Sequence, residues 1–400
     1  MQTSKINKPK LVILVSRFPY PLEKGDKLRA FHQIRNLSST YEITLIALSE
    51  KQIEPADRAK LNNYCAATHI IVRSKWTILW NLVRVLFNGK PFQIGYFYSH
   101  KGKKQILEIL KQTKPNYIYS QLIRTSEYVK DYHLCSKTID YMDAFSIGIE
   151  RRINKASWIA KPLFKMEAKR LQIYERTIFE YFENKTIITK QDREWIRHPN
   201  RKEIVCIPNG IDTDYFATRE IEKSFDIVFV GNLSYAPNIE AIRFIAKEII
   251  ANNPKIRCLI SGATPHSSIV KIARNYPQIK LNGWVEDIRT AYLSGKVFVA
   301  PMLIGTGLQN KLLEAMSLGI PCITTDLAND ALGAQNGVDL LVANTGQEYI
   351  ELLHKLNTDE KFYAEIGENG RKFVVKNYSW QKASDELSAC IQGQKPSANQ

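Results

Sequence analysis

Residues 297–319 read VFVAPMLIGTGLQNKLLEAMSLG, an apolar run, a glycine loop and a helix-forming stretch closed by Gly319. Two familiar readings of the glycines fail. A P-loop needs G-x-x-x-x-G-K-[ST], but Lys311 is preceded by Asn310 and followed by Leu312. A dinucleotide fingerprint needs G-x-G-x-x-G straight after the first strand of its unit. Here the sixth position is Asn310 and the apolar run comes late. What remains is physical. A helix start presents free N–H groups and partial positive charge, so it attracts phosphate. Lys311 and Glu314 are three residues apart and share a helix face. A cation near phosphates and an acceptor near sugar hydroxyls suit a nucleotide-sugar. An ordinary helix turn carrying a surface ion pair is the alternative.

Working outward, the chain repeats one grammar twice. KLVILVSRFPYP is a buried strand and loop, KLRAFHQIRNLSS a helix, and YEITLIALSE a second strand. That strand–helix–strand unit favours a parallel sheet. NYIYSQ, SKTIDYMD and KTIITKQD read as later strands of it. FDIVFVGNLSYAPN starts the grammar again, NIEAIRFIAKEII is an amphipathic helix, and IRCLISGAT, IKLNGWV, KVFVAPML and PCITTD follow as strands. The fold class is α/β, with two Rossmann-like domains meeting near NRKEIVCIPNG.

Composition narrows the function. The chain has 400 residues and a net charge of +16. Residues 1–200 hold 35 Lys+Arg against 18 Asp+Glu, and residues 201–400 hold 21 against 22. The basic half attracts nucleic acid, anionic lipid or a phosphorylated substrate. Six scattered cysteines with no C-x-x-C pair argue against zinc and a disulfide framework, and for a reducing compartment. Leu11–Val15 is too short for a signal-peptide core, and no run reaches the length of a membrane span. A cytoplasmic protein follows, still able to sit on a membrane.

Other stretches leave alternatives open. Asp212 and Asp214 in IPNGIDTDYF resemble an Asp-x-Asp metal motif, but such residues commonly form turns. Gly25 in the loop after the first strand lets backbone approach a ligand, and Asp26 caps the following helix or faces the cleft. Trp76, Leu79, Trp80, Val83 and Phe87 recur at helical spacing, flanked by Lys75, Arg84 and Lys90. Such a stripe either packs into the core, the commoner use, or lies in a bilayer interface. The seven histidines show no metal signature, and His32 reads as an ordinary helix residue.

The motifs IPNGIDTDYF, VFVGNLSYAPN, LNGWVEDIRTAYLSGKVFVAP, GTGLQNKLLEAMSLGIPCITT and NYSW, in this order, resemble family 4 glycosyltransferases. These are retaining enzymes of the GT-B fold. SRFPYPLEKGDKLRAFHQIRNL and TIDYMDAFS narrow the resemblance to the sugar-transferase branch linked to exopolysaccharide and lipopolysaccharide. It implies an acceptor-binding domain over residues 1–203 and a nucleotide-sugar-binding domain over 204–375, facing across a cleft. Residues 376–400 would form a C-terminal helix packing back toward the first domain.

By position, the resemblance gives Glu314 the ribose hydroxyls, and gives Lys311 the diphosphate together with Gly307 and Leu308. Val285 would border the base. Gly231, Asn232, Thr306 and Asn310 would line the same donor site. Gly25 and Asp26 would approach the diphosphate and transferred sugar, and Asp143 would face acceptor or sugar. Lys311, Asp26 and Asp143 are the catalytic candidates. Two departures stand out. Thr306 occupies the place where many members have a Glu touching the sugar, and GNLSYAPN lacks their Arg…Lys pair. The resemblance further implies transfer from a nucleotide-diphosphate sugar to a lipid-linked or polysaccharide acceptor. No metal or other cofactor is expected, a membrane surface is a partner through the basic first domain, and nucleic acid is not. The competing readings are an inverting transferase, a nucleotide-sugar epimerase and a non-catalytic scaffold.

Overall fold

A computed structural model describes residues 8–22, 24–153, 157–304 and 308–394. It holds two sheets. The first contains β1 (Lys10–Val15), β2 (Glu42–Ser49), β3 (Ala67–Val72), β4 (Tyr117–Gln121), β5 (Ser136–Asp140), β6 (Asn184–Ile187) and β7 (Val205–Cys206), in the order β3-β2-β1-β4-β5-β6-β7. The second contains β8 (Phe225–Val230), β9 (Cys258–Ser261), β10 (Ile279–Asn282), β11 (Gly295–Ala300), β12 (Cys322–Thr324) and β13 (Leu341–Val342), in the order β10-β9-β8-β11-β12-β13. Every pairing is parallel. Both orders are doubly wound, reversing between β1 and β4 and between β8 and β11. In such sheets the crevice beyond the carboxyl ends at the reversal is where ligands bind.

The central strands are continuous apolar runs because helices cover both faces. Leu11 to Val15 of β1 and Ile227 to Val230 of β8 are all essentially buried. Three strands escaped the sequence reading. β3 lies at a sheet edge and is mostly half-buried, so its apolar signal is weak. β7 and β13 are two residues each.

The chain divides into two compact units, Met1–Gly210 with Trp380–Gln400, and Ile211–Ser379. These limits differ slightly from the expected 203/204 and 375/376. β7 pairs with β6 through Thr186 and Val205, and buried Arg29 donates to the carbonyls of Ile207 and Pro208 and to Asn209. Those bonds hold the chain to the first unit up to Gly210. At the other end the helix Glu360–Tyr378 runs straight through position 375, and a bridge between Ile211 and Ser379 closes the second unit. The helix Trp380–Ile391 then packs in the first unit. Trp380 stacks on His32 with ring centroids 4.8 Å apart, and Leu387 and Ile391 share a core with Leu11 and Ile13.

Candidate functional site

In the second unit the loops after β8, β9 and β10 are laced together. The Leu233 N–H donates to the Ala263 carbonyl and the Gly262 N–H to the Asn282 and Gly283 carbonyls. Asn232, a candidate ligand contact, accepts from the Ser234 N–H and hydroxyl and from the Thr264 hydroxyl. It therefore shapes the loop that carries Gly231. Gly262 is required by close approach. A Cβ there would lie 1.7 Å from the Gly231 carbonyl oxygen. Gly262→Ala is expected to cost about 2–3 kcal/mol by overpacking, read as a lower urea midpoint. An unchanged midpoint would show that these loops are not locked together.

The expected helix forms over Asn310–Ser317, and Gly319 ends it in the left-handed region at φ 73°. Thr306 and Gly307 lie outside the described residues. Leu308 is half-buried against the core and Asn310 is exposed at the helix start. Lys311 points back over the end of β8. Its ammonium donates to the Asn238 side-chain oxygen, sits 5.2 Å from the centroid of the Phe229 ring and lies 3.6 Å from Met302 Sδ. Burial pushes its pKa down to about 8, while Glu314 pulls the other way. Glu314 accepts a 2.6 Å hydrogen bond from the Tyr292 hydroxyl. Burial pushes its pKa up to about 7, opposed by that bond and by Lys311.

Asn238 is the residue sequence reasoning missed. It is 3% exposed, and its amide nitrogen donates to the Asn232 carbonyl while its oxygen receives Lys311. A Cβ on Gly231 would meet that amide at 2.8 Å and the Lys311 Cε at 3.7 Å. Gly231, Asn238 and Lys311 thus form one cradle between β8 and β11. Its only hint in the sequence was a lone Asn on an amphipathic helix. Val285 stands just beyond β10, half-buried against the core.

In the first unit Asp26 does not cap its helix. The helix begins at Gly25 with Lys24 as its N-cap, so Asp26 falls in the first turn. There it complements the helix dipole and pairs with Arg17 at 2.6 Å. A Cβ on Gly25 would meet nothing within 4 Å, so packing does not demand a glycine there. Asp143 follows β5 with an exposed side chain, after Met142 at φ 60°. Leu122, just beyond β4, has φ 68°. Positive φ at two bulky residues is strained, and such strain clusters at functional sites. Surrounding protein, with Asp192 and Asp140, pushes the Asp143 pKa up to about 6. Arg124, unforeseen from the sequence, lies within electrostatic reach of both Asp26 and Asp143, and burial lowers its pKa to about 10.

The Asp-x-Asp reading resolves as a turn. The Asp212 carboxylate accepts from the Tyr215 N–H, and among the described residues no group of three His, Cys, Asp or Glu is placed to hold a metal.

The helix Lys75–Asn88 presents its apolar stripe outward. Trp76 is 81% exposed, Trp80 70% and Phe87 86%, with Leu79, Val83 and Leu86 also exposed, while Ile78, Asn81 and Val85 face inward. Arg170 of the helix Lys161–Ile178 donates to the Val85 and Leu86 carbonyls. Trp158, Ile159 and Leu163, at the start of that helix and just before it, are exposed as well. Among the described residues no helix is long and apolar enough to cross a membrane.

One of the two doubly wound units carries a cationic cradle at its strand reversal, the place where such sheets bind ligands. Residues 224–359 match the family model described as glycosyl transferases group 1. An uncharacterized 44.6 kDa protein in the cps region of Klebsiella pneumoniae is 23% identical over 94% of this chain and 98% of its own length. A UDP-Gal:alpha-D-GlcNAc-diphosphoundecaprenol alpha-1,3-galactosyltransferase of Escherichia coli is 29% identical over 46% of this chain, which spans about half of that enzyme (52%). Among solved structures, Anabaena HepE in complex with UDP superimposes with a TM-score of 0.66 at 10% identity, covering 96% of this chain and 100% of that one. The fold is GT-B, and the protein is a glycosyltransferase (EC 2.4).

Proposed function

We propose that the chain is a retaining, family 4 type transferase that moves a glycosyl group from a nucleotide-diphosphate sugar to a lipid-linked or glycan acceptor in cell-surface polysaccharide synthesis. The observation that carries this reading is Lys311 with Glu314 on one helix at the β8–β11 reversal. The E. coli relative acts on a diphosphoundecaprenol acceptor with UDP-Gal, which supports the acceptor class and makes UDP the first nucleotide to test.

The acceptor hydroxyl attacks the anomeric carbon on the face from which the diphosphate departs. The new C–O bond forms as the bond to phosphate breaks, and a phosphate oxygen of the donor takes the hydroxyl proton. The protein supplies charge stabilisation of the leaving diphosphate. Lys311, the helix start near Leu308 and Asn310, and the bare backbone at Gly231 are assigned to it, without a metal. Glu314 takes the ribose hydroxyls and Val285 borders the base, with Asn232 shaping the loop. Thr306 and Gly307 are assigned to the donor site by position alone. In the first unit Gly25, Asp26 and Asp143 are assigned to the transferred sugar and acceptor. The exposed face of Lys75–Asn88 is assigned to the anionic surface of a membrane, on its cytoplasmic side.

The test is product stereochemistry by NMR, with the donor chosen from a thermal-shift panel of nucleotide-sugars. An inverted anomer would overturn retention. Epimerised donor, or binding without any turnover, would overturn transfer. Loss of activity in EDTA with recovery in magnesium would overturn metal independence.

The site also implies a pH profile. Diphosphate binding needs Lys311 protonated and the ribose contact needs Glu314 ionised. With these groups near 8 and 7, UDP affinity is expected to peak between them and to weaken by up to about tenfold per pH unit on either side. Calorimetric titration across that range checks it, and a flat profile would detach both residues from the nucleotide.

A further inference from the structure

Positive charge gathers at the carboxyl edge of the first sheet. Three guanidinium groups surround the Phe97 ring, Arg17 at 5.6 Å from its centroid, and Arg73 and Arg124 each at 4.8 Å. Arg17, Arg73 and Arg124 follow β1, β3 and β4, so the sheet gathers cations that are remote in sequence. Beside Arg17 and Arg73 opens a cavity of about 480 Å³, also lined by Ser16, Tyr20, Lys51 and Phe97. Five cations line it against three carboxylates.

Arg73 is the informative member. It is 2% exposed, and its Nε has no hydrogen-bond partner. One Nη donates to the Tyr96 carbonyl. The carboxylate paired with it, Glu50, is 3.9 Å away, half-exposed, and already accepts from the Tyr96 hydroxyl. Burial lowers the Arg73 pKa despite Glu50. Arg29 is the contrast. Equally buried, it directs Nε and both terminal nitrogens to Asp140, Ile207, Pro208 and Asn209. A buried cation left under-paired is costly, and a ligand that supplies the counter-charge accounts for its retention. Ser16, whose buried hydroxyl also lacks a partner, lines the same cavity. The volume is far larger than a bare phosphate ion and falls in the range of small-molecule sites. Hydroxyl-bearing and amide side chains, Ser49 and Gln52, share the wall with the half-buried Tyr20 ring.

We propose that this cavity binds a sugar carrying an oxyanion, phosphate or carboxylate, with the oxyanion held between Arg17 and Arg73. This rests on the glycosyltransferase reading and makes the anionic sugar part of the acceptor.

The test is thermal shift and calorimetry on the full chain with glucose 6-phosphate, glucuronate, glucose and inorganic phosphate. Glucose 6-phosphate or glucuronate raises the melting temperature, and whichever acts identifies the oxyanion. Glucose and phosphate give little. Arg73→Met abolishes the shift, Arg17→Gln weakens binding about tenfold, and Lys311→Met leaves it intact. If Arg73→Met does not fold, Arg17→Gln decides, because that side chain is one-third exposed. No shift with either anionic sugar overturns the proposal. So does a full shift from phosphate alone, or binding unchanged in Arg17→Gln. Loss in Lys311→Met would place the sugar in the donor site and overturn it too. UDP is titrated in parallel. Binding of anionic sugar without UDP sustains the cavity and removes the donor reading, while UDP binding without anionic sugar does the reverse.

Discussion

Lys311→Met is expected to lower kcat by about 10²–10³, the cost of removing one preorganised donor from a developing oxyanion. Steady-state kinetics with the donor found by thermal shift checks this. KM is expected to change less than kcat, because charge on the leaving diphosphate grows toward the transition state. The same variant should be at least as stable as the parent. Lys311 titrates near 8 when folded, below the ordinary lysine value of 10.5, because burial disfavours its charge. Below pH 8 the folded protein must carry a proton that costs stability. The cost is relieved as pH rises from 8 toward 10.5, where the unfolded chain still holds the proton and the native one does not. Methionine fills the same space without charge but leaves the buried Asn238 oxygen unpaired, which offsets part of the relief, so a net gain of about 1 kcal/mol near pH 7 is expected. Stability up and turnover down mark a residue kept for function. Unchanged turnover would remove Lys311 from the mechanism.

Replacing Trp76, Trp80 and Phe87 together by serine is expected to abolish binding to anionic vesicles. Full burial of each large apolar side chain is worth about 1.5–3 kcal/mol. Half of that from each, about 2–4 kcal/mol in all, lowers partitioning at least about twentyfold. Lys90 is already paired with Glu127, whereas the exposed Lys75 and Arg84 add about 1 kcal/mol each near an anionic surface, so binding should also fall with salt. All three replaced side chains are at least 70% exposed, so the melting temperature should hold. Co-sedimentation with phosphatidylserine vesicles checks both. Equal binding by parent and triple variant would overturn the membrane assignment. A dimer that the triple variant loses, in the absence of lipid, would reassign the face to a second copy of the chain.

Both sheets were legible because their central strands are unbroken apolar runs bounded by turn residues, a local pattern. KLVILV and FDIVFV need no partner to declare themselves. The edge strands did not, since β3 is only half-buried and β7 and β13 are too short for a period. The cradle of Gly231, Asn238 and Lys311 was half legible. Lys311 and Glu314 announce themselves by helical spacing. Asn238, which orients Lys311, is 73 residues away in sequence and was invisible for that reason.

By itself, then, the amino-acid sequence determined the tandem doubly wound architecture, the helix that carries Lys311 and Glu314, and the concentration of positive charge in the first half. These depend on periodicity, spacing and composition, which need no knowledge of neighbours. The tertiary structure alone decided which way each ambiguous group turned. A stripe of Trp and Phe looks the same whether it meets a core or solvent, and here the inward face belongs to Ile78 and Val85. Asp26 turned from a cap to an ion pair with Arg17. Arg29 and Arg73 read alike in a sequence, yet one is saturated by Asp140 and three partners from residues 207–209, and the other is buried with a donor unspent. Hydrogen-bond saturation and burial are properties of groups brought together from distant parts of the chain, so only the folded molecule defines them.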